Sequence, residues 1–198
     1  YTGRGSTGGS INLINKTPGI RRTVAGTLDF GTDSTRRATA DVNLRIGDSV
    51  AFRLNLLAHH SGVAGRDVVK FDRWGVAPSL TLGIGKPTRL TVSYYKLKQN
   101  NLSDYGIPWV PVTNNVLVDH RDRPAPVPRD TFYGLRNRDY ENLDSDLVTL
   151  KFEKDFNDGL SLRNQFRYSD SSRDSIATPP RFPSNNSTAI NREFRSWQ

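Results

Sequence analysis

Apolar and polar residues alternate with a period of two along most of this chain, and no apolar stripe is sustained at the 3.6-residue spacing of a helix. The elements this predicts are strands. Seven such segments can be marked. The first, about 21–32, sets Val24, Gly26, Leu28 and Phe30 against Thr23, Ala25, Thr27 and Asp29. The second, about 36–46, sets Ala38, Ala40, Val42, Leu44 and Ile46 against Arg37, Thr39, Asp41, Asn43 and Arg45. The third, about 50–60, carries Val50, Phe52, Leu54, Leu56 and Ala58 opposite Ala51, Arg53, Asn55, Leu57 and His59. The fourth, about 74–84, carries Trp74, Val76, Pro78, Leu80, Leu82 and Ile84 opposite small residues. The fifth, about 89–98, sets Leu90, Val92 and Tyr94 against Arg89, Thr91 and Ser93. The sixth, about 146–156, sets Val148, Leu150, Phe152 and Phe156 against Asp146, Thr149, Lys151 and Glu153. The seventh, about 160–169, sets Leu160, Leu162, Phe166 and Tyr168 against Ser161, Arg163, Gln165 and Arg167.

The connections divide into two kinds. Gly47-Asp48-Ser49, Gly85 to Thr88 and Asn157-Asp158-Gly159 are tight turns that fall on one rim. On the other rim, long loops are predicted at about 61–73, 99–145 and 170–195, with a short connection only at Asp33-Ser34-Thr35. Short turns on one side and long loops on the other are the pattern of outer-membrane barrels. The strand lengths, about 9–11 residues, suit a tilted crossing of a bilayer. Trp74, Tyr94, Tyr95 and Tyr168 fall where an aromatic girdle would sit. The fold expected is all-β: a partial antiparallel transmembrane barrel of about seven strands in meander order. A soluble or cell-surface β-sandwich is the rival, since its strands also alternate.

Composition narrows the chemistry. The 198 residues include no Cys and no Met, which removes disulfides, thiolate metal sites and cysteine nucleophiles. The chain opens on Tyr1 rather than on Met or a signal peptide, so it reads as a piece of a longer protein. The net charge is +8, with 21 Arg against 7 Lys. The arginines alternate along strands with Asp and Asn, which suits ion-pair ladders inside a barrel and argues against a nucleic-acid surface. Gly3-Arg4-Gly5-Ser6-Thr7-Gly8 matches G-x-G-x-x-G, but a strand pattern follows it and not a helix, so nucleotide binding is not expected. His59 and His60 are adjacent on a strand, point to opposite faces and cannot chelate one ion. No nucleophile elbow or matched acid pair is found. No catalytic residue, metal ligand or cofactor is expected.

Tyr1 to Pro18, with its run Gly3-Arg4-Gly5-Ser6-Thr7-Gly8-Gly9-Ser10, resembles the end of the plug domain of TonB-dependent outer-membrane receptors. Asp104 to Pro111, Phe132 to Leu135, Arg138-Asp139-Tyr140, Arg173 to Ser175 and Thr178 to Arg181 are similar to the catecholate-siderophore branch of that family. The resemblance implies a plug end over 1–20 and the N-terminal part of a barrel over 21–198. It implies a Gram-negative outer-membrane location among lipid, a ferric siderophore as cargo, and the TonB complex as a partner through a segment that precedes this chain. Haem, cobalamin or an oligosaccharide are the alternative cargoes. Arg4 would face the polar wall of the barrel, where Asp29, Asp41 and Glu153 lie. The loop at about 99–145 combines aromatics with arginines, a pairing suited to an anionic aromatic ligand. Its Tyr105, Trp109, Arg129, Tyr133, Arg136 and Arg138 are the candidate substrate-binding residues.

Overall fold

The structure, a computed structural model, describes residues 15–156, 159–192 and 195–197. Arg4, and the rest of the predicted plug end before residue 15, lie outside the described residues. The strands are β1 (Thr23–Phe30), β2 (Arg36–Ile46), β3 (Val50–Val63), β4 (Arg66–Leu82), β5 (Thr88–Leu102), β6 (Trp109–Val110), β7 (Arg123–Pro124), β8 (Tyr140–Asp155), β9 (Ser161–Ala177), β10 (Pro180–Arg181), β11 (Asn191–Arg192) and β12 (Arg195–Trp197). A single 3₁₀ turn, Val118–His120, lies between β6 and β7. Among the described residues, eight strands form one antiparallel sheet in the order β1-β2-β3-β4-β5-β8-β9-β12. The eighth, β12, adds to the seven expected and pairs with Ser175, Ile176 and Ala177 of β9.

The register sorts every strand into the same two faces. One row runs Val42, Leu54 and Pro78 across β2, β3 and β4, and Val92, Leu150 and Phe166 line up likewise across β5, β8 and β9. This face is apolar and open: Leu150 and Phe166 are among its exposed large side chains. It is the lipid face of a barrel wall. The opposite face carries Arg37, Arg45, Arg53, Arg163 and Arg167, as the alternation requires. A shift of one residue would exchange the two faces, so the register is strongly specified.

Residues 15–21 show which face is the lumen. The Asn43 side chain, 2% exposed, accepts from Gly19 N–H at 2.8 Å and donates to the carbonyls of Gly19 at 2.9 Å and Arg21 at 2.5 Å. Arg53 makes a two-pronged contact with Asp41 at 2.8 and 2.6 Å, and donates to the Thr17 carbonyl at 3.0 Å. Lys16 reaches the same Asp41 at 2.7 Å. The segment entering β1 is therefore bound to the arginine face, the side away from the apolar band.

The strands run well past the expected lengths, to 17 residues in β4 and β9. The apolar band stops earlier, at Tyr94, Val148 and Tyr168 on β5, β8 and β9, and at Trp74 on β4. Beyond it the outward face turns polar, with Lys96 bonded to Asp144 and, at 2.6 Å, to Asp146. Asp146 therefore shares a face with Val148, correcting its expected place on the lumenal side. Tyr95 pairs with Leu147 on the lumenal face and is not part of the girdle. The boundary sits four residues, or two outward-facing positions, higher on β4 than on β5, because the strands are tilted to the membrane plane.

The loop expected at 61–73 is instead a hairpin. Strands β3 and β4 extend through it and meet at Gly65, which has φ +66°. The register shifts between Ser61 and Val63, and Val68 sits at φ +54°, so an irregularity interrupts the pairing there. Next to it, Val69 is buried and packs with Leu102 and Phe132. The loop expected at 99–145 shortens to 103–139, and that at 170–195 begins after Ala177, because β5, β8 and β9 continue above the membrane.

Candidate functional site

Two long segments meet at the rim opposite the tight turns. The first, 103–139, is fixed at its base by Arg66, which clasps Asp104 at 2.5 and 2.8 Å and also donates to the Arg129 carbonyl. Asp67 N–H adds a bond to the Asp130 carbonyl at 2.7 Å. Midway, Asn114 is fully buried and its Oδ1 accepts from Val116 and Leu117 N–H at 2.9 and 2.7 Å, closing a tight turn.

The second segment, which follows β9, is stitched to the first. Asn114 donates to the Ser187 carbonyl at 3.1 Å, Thr113 to Asn185 Oδ1 at 2.7 Å, and Asn115 N–H to the Asn185 carbonyl at 2.6 Å. Lower down, Asp139 accepts from the Thr178 hydroxyl at 2.6 Å, from Thr178 N–H at 3.2 Å and from Leu135 N–H at 3.0 Å. Asp139 is 8% and Thr178 2% exposed, so these bonds are made away from water.

Between the two segments lies a cleft of about 310 Å³ lined by Tyr105, Ile107, Trp109, Pro179, Pro180, Arg181 and Arg195. Tyr105 and Trp109 are 44% and 56% exposed, although the backbone at Trp109 is held by the pairing of β6 with β7. Trp109 is oriented by an indole N–H bond to Asp122 at 3.3 Å. Aromatic faces and two guanidiniums thus border one space. Such a cleft can take a flat anionic ligand by stacking and charge-assisted hydrogen bonds.

Of the residues singled out from sequence, Tyr105 and Trp109 come together here. Arg129 lines a separate cavity with His120, Arg123 and the prolines of 124–128. Tyr133 donates its hydroxyl to the Pro128 carbonyl at 2.9 Å. Arg136 and Arg138 are exposed near the end of the loop, outside the residues lining this cleft. Arg181 and Arg195 were not among the sequence candidates. The signal that could have pointed to Arg181 is the stretch Thr178-Pro179-Pro180-Arg181, placed on the same rim by the strand count. The histidines fall on opposite faces: His60 bonds Asp72 at 2.5 Å on the outward side, and His59 pairs with Arg37 and Arg73 on the lumenal side.

No family model matches the chain. Individual proteins do. It is 39% identical over 181 residues to a probable TonB-dependent receptor, BfrD, of Bordetella pertussis, covering 91% of this chain and 24% of that protein. It is 35% identical over 202 residues to the catecholate siderophore receptor Fiu of Escherichia coli K12, covering 98% of this chain and 26% of that protein. The crystal structure of the ferric-catecholate import receptor Fiu in its open form superposes with a TM-score of 0.84 at 32% identity, over 98% of this chain and 31% of that one. The siderophore receptor PiuA of Acinetobacter baumannii superposes with a TM-score of 0.80 at 35% identity, over 89% of this chain and 25% of that one. The chain spans about a quarter of the length of the curated relatives it matches. By sequence and by fold it is a homologue of the TonB-dependent receptors of the Gram-negative outer membrane, and its sheet is a sector of their barrel wall.

Proposed function

We propose that the receptor containing this chain imports a ferric siderophore of the catecholate class, with energy supplied by the TonB complex acting on the plug. The observation that carries the reading is the cleft in which Tyr105 and Trp109 face Arg181 and Arg195. A ferric catecholate is anionic and presents flat rings, so it needs positive donors and aromatic faces together. Haem, cobalamin and oligosaccharides remain the rival cargoes. The reading assigns no covalent step to these residues: iron and its chelator are the substrate, bound and released unchanged.

Replacing Arg181 with Ala should cost about 1.5–3 kcal/mol of binding if the guanidinium hydrogen-bonds the ligand, a roughly tenfold to hundredfold loss of affinity. Tyr105→Ala with Trp109→Ala should cost a comparable amount. The test is binding and uptake of ferric catecholates by the full-length receptor in siderophore-deficient cells, at fixed salt and matched surface abundance. A ferric hydroxamate serves as the selectivity control. Unchanged affinity in both variants would move the site to other loops, including the Arg129, Arg136 and Arg138 region. Preference for the hydroxamate would remove the catecholate assignment.

A further inference from the structure

On the outward face, high on β1 to β4, the wall is indented. The floor of the indentation is Ala38 and Ala58, which are cross-strand neighbours, with Leu28 beside them. Phe30 rises on one side and Trp74 on the other, 78% and 45% exposed. The space measures about 380 Å³, within the range of about 300–1,000 Å³ usual for small-ligand clefts. It sits at the upper limit of the apolar band, on the long-loop side, which is the outer-leaflet interface of the membrane.

The residues immediately above the floor are polar, and their charges are unevenly committed. His60 is held by Asp72 at 2.5 Å, and the same Asp72 lies 3.9 Å from Lys70. Further along the rim, Lys96 is committed to Asp144 and Asp146. The side chain of Arg36, a residue in register with Phe30 and His60, is exposed and makes no ion pair or hydrogen bond among the described residues. An apolar trough between two aromatic walls therefore ends at an uncommitted guanidinium.

We propose that this indentation is a binding site for a phosphorylated lipid of the outer leaflet, with one acyl chain lying over Ala38 and Ala58 and the phosphate on Arg36. Both halves of the ligand are required. A free phosphate would gain little from a single exposed arginine, because such contacts are weak in water. A neutral lipid would leave that arginine hydrated and gain no selectivity over its neighbours in the bilayer. Arg suits the phosphate because its fork can engage two oxygens at once.

The experiment uses the full-length receptor in mild detergent, with bound lipid read by native mass spectrometry. The probes are phosphatidylglycerol, diacylglycerol of the same chain length, and soluble glycerol phosphate. The wild-type receptor should retain phosphatidylglycerol at least tenfold more tightly than diacylglycerol, and should not retain glycerol phosphate. Arg36→Gln should lower phosphatidylglycerol to the diacylglycerol level, and Arg36→Lys should restore part of the preference. Ala58→Trp, which fills the trough, should lose both lipids while the receptor keeps its normal abundance and the heat-resistant electrophoretic mobility of a folded barrel. Those two readouts also establish that these variants are folded. Equal retention of the two lipids by the wild type, retention of glycerol phosphate, or an Ala58→Trp receptor that binds as before would each overturn the proposal. None of these outcomes depends on the siderophore assignment.

Discussion

An Asp139→Ala receptor is expected to open the contact between its two long extracellular segments while the sheet below stays folded. The carboxylate collects three donors, the Thr178 hydroxyl, Thr178 N–H and Leu135 N–H. Leu135 N–H also reaches the Thr178 hydroxyl at 3.1 Å, so the variant strands mainly the two donors of Thr178. Each buried donor left unpaired costs about 1–3 kcal/mol, which gives about 4 kcal/mol in all. Amide exchange at Thr178 should then speed up by about a thousandfold, at 1.4 kcal/mol per decade, with little change along β3 and β4. Ligand affinity should fall as well, since Pro179, Pro180 and Arg181 follow directly and line the cleft. Thr178→Val, which keeps the N–H bond, should reproduce a smaller share of the effect. Exchange at Thr178 equal to that of the unmodified receptor would show that the two segments are held elsewhere.

The second large effect is expected at the entry to β1. Asn43→Ala removes one acceptor and two donations at once, leaving Gly19 N–H and the carbonyls of Gly19 and Arg21 without the side chain that pairs them. The expected cost is about 3 kcal/mol, at about 1 kcal/mol for each hydrogen bond lost. Protease sensitivity and amide exchange at Gly19 should rise, with the strand pairing of β2 and β3 preserved. Asn43→Asp should be worse than Ala, because a carboxylate would face two carbonyl oxygens while keeping only the bond from Gly19 N–H. An Asp variant as protected as the wild type would mean that the entering segment is held by the Asp41–Arg53 pair alone.

The membrane-spanning part of this fold was legible because lipid lies on one side and a polar lumen on the other. Val42, Leu54 and Leu150 had to face out once Arg37, Arg45 and Arg53 faced in, and the register followed. Above Trp74 and Tyr94 that logic lapses. Both faces meet water there, so the outward row of Lys98, Asn100, Asp144 and Ser172 is polar throughout, and the strands read as shorter than they are. The 61–73 segment is hard to read for a related reason: Gly62, Gly65 and the polar Asp67 suggest a loop, while Val69 is covered by Phe132 from a distant segment. The cleft was half legible. Tyr105 and Trp109 stood out by their chemistry, but Arg181 and Arg195 reach them only through the folding of one long segment onto another.

The clamp at Asn43 also has a mechanical meaning. A pull on the chain from upstream arrives first at Lys16 and Thr17, whose links to Asp41 and Arg53 are an exposed ion pair and a single carbonyl contact. Only when these have parted does the load reach Gly19 and the three bonds of Asn43. Under such a load the junction is expected to part at its weak end before its strong one, with the Asn43 amide staying on the wall.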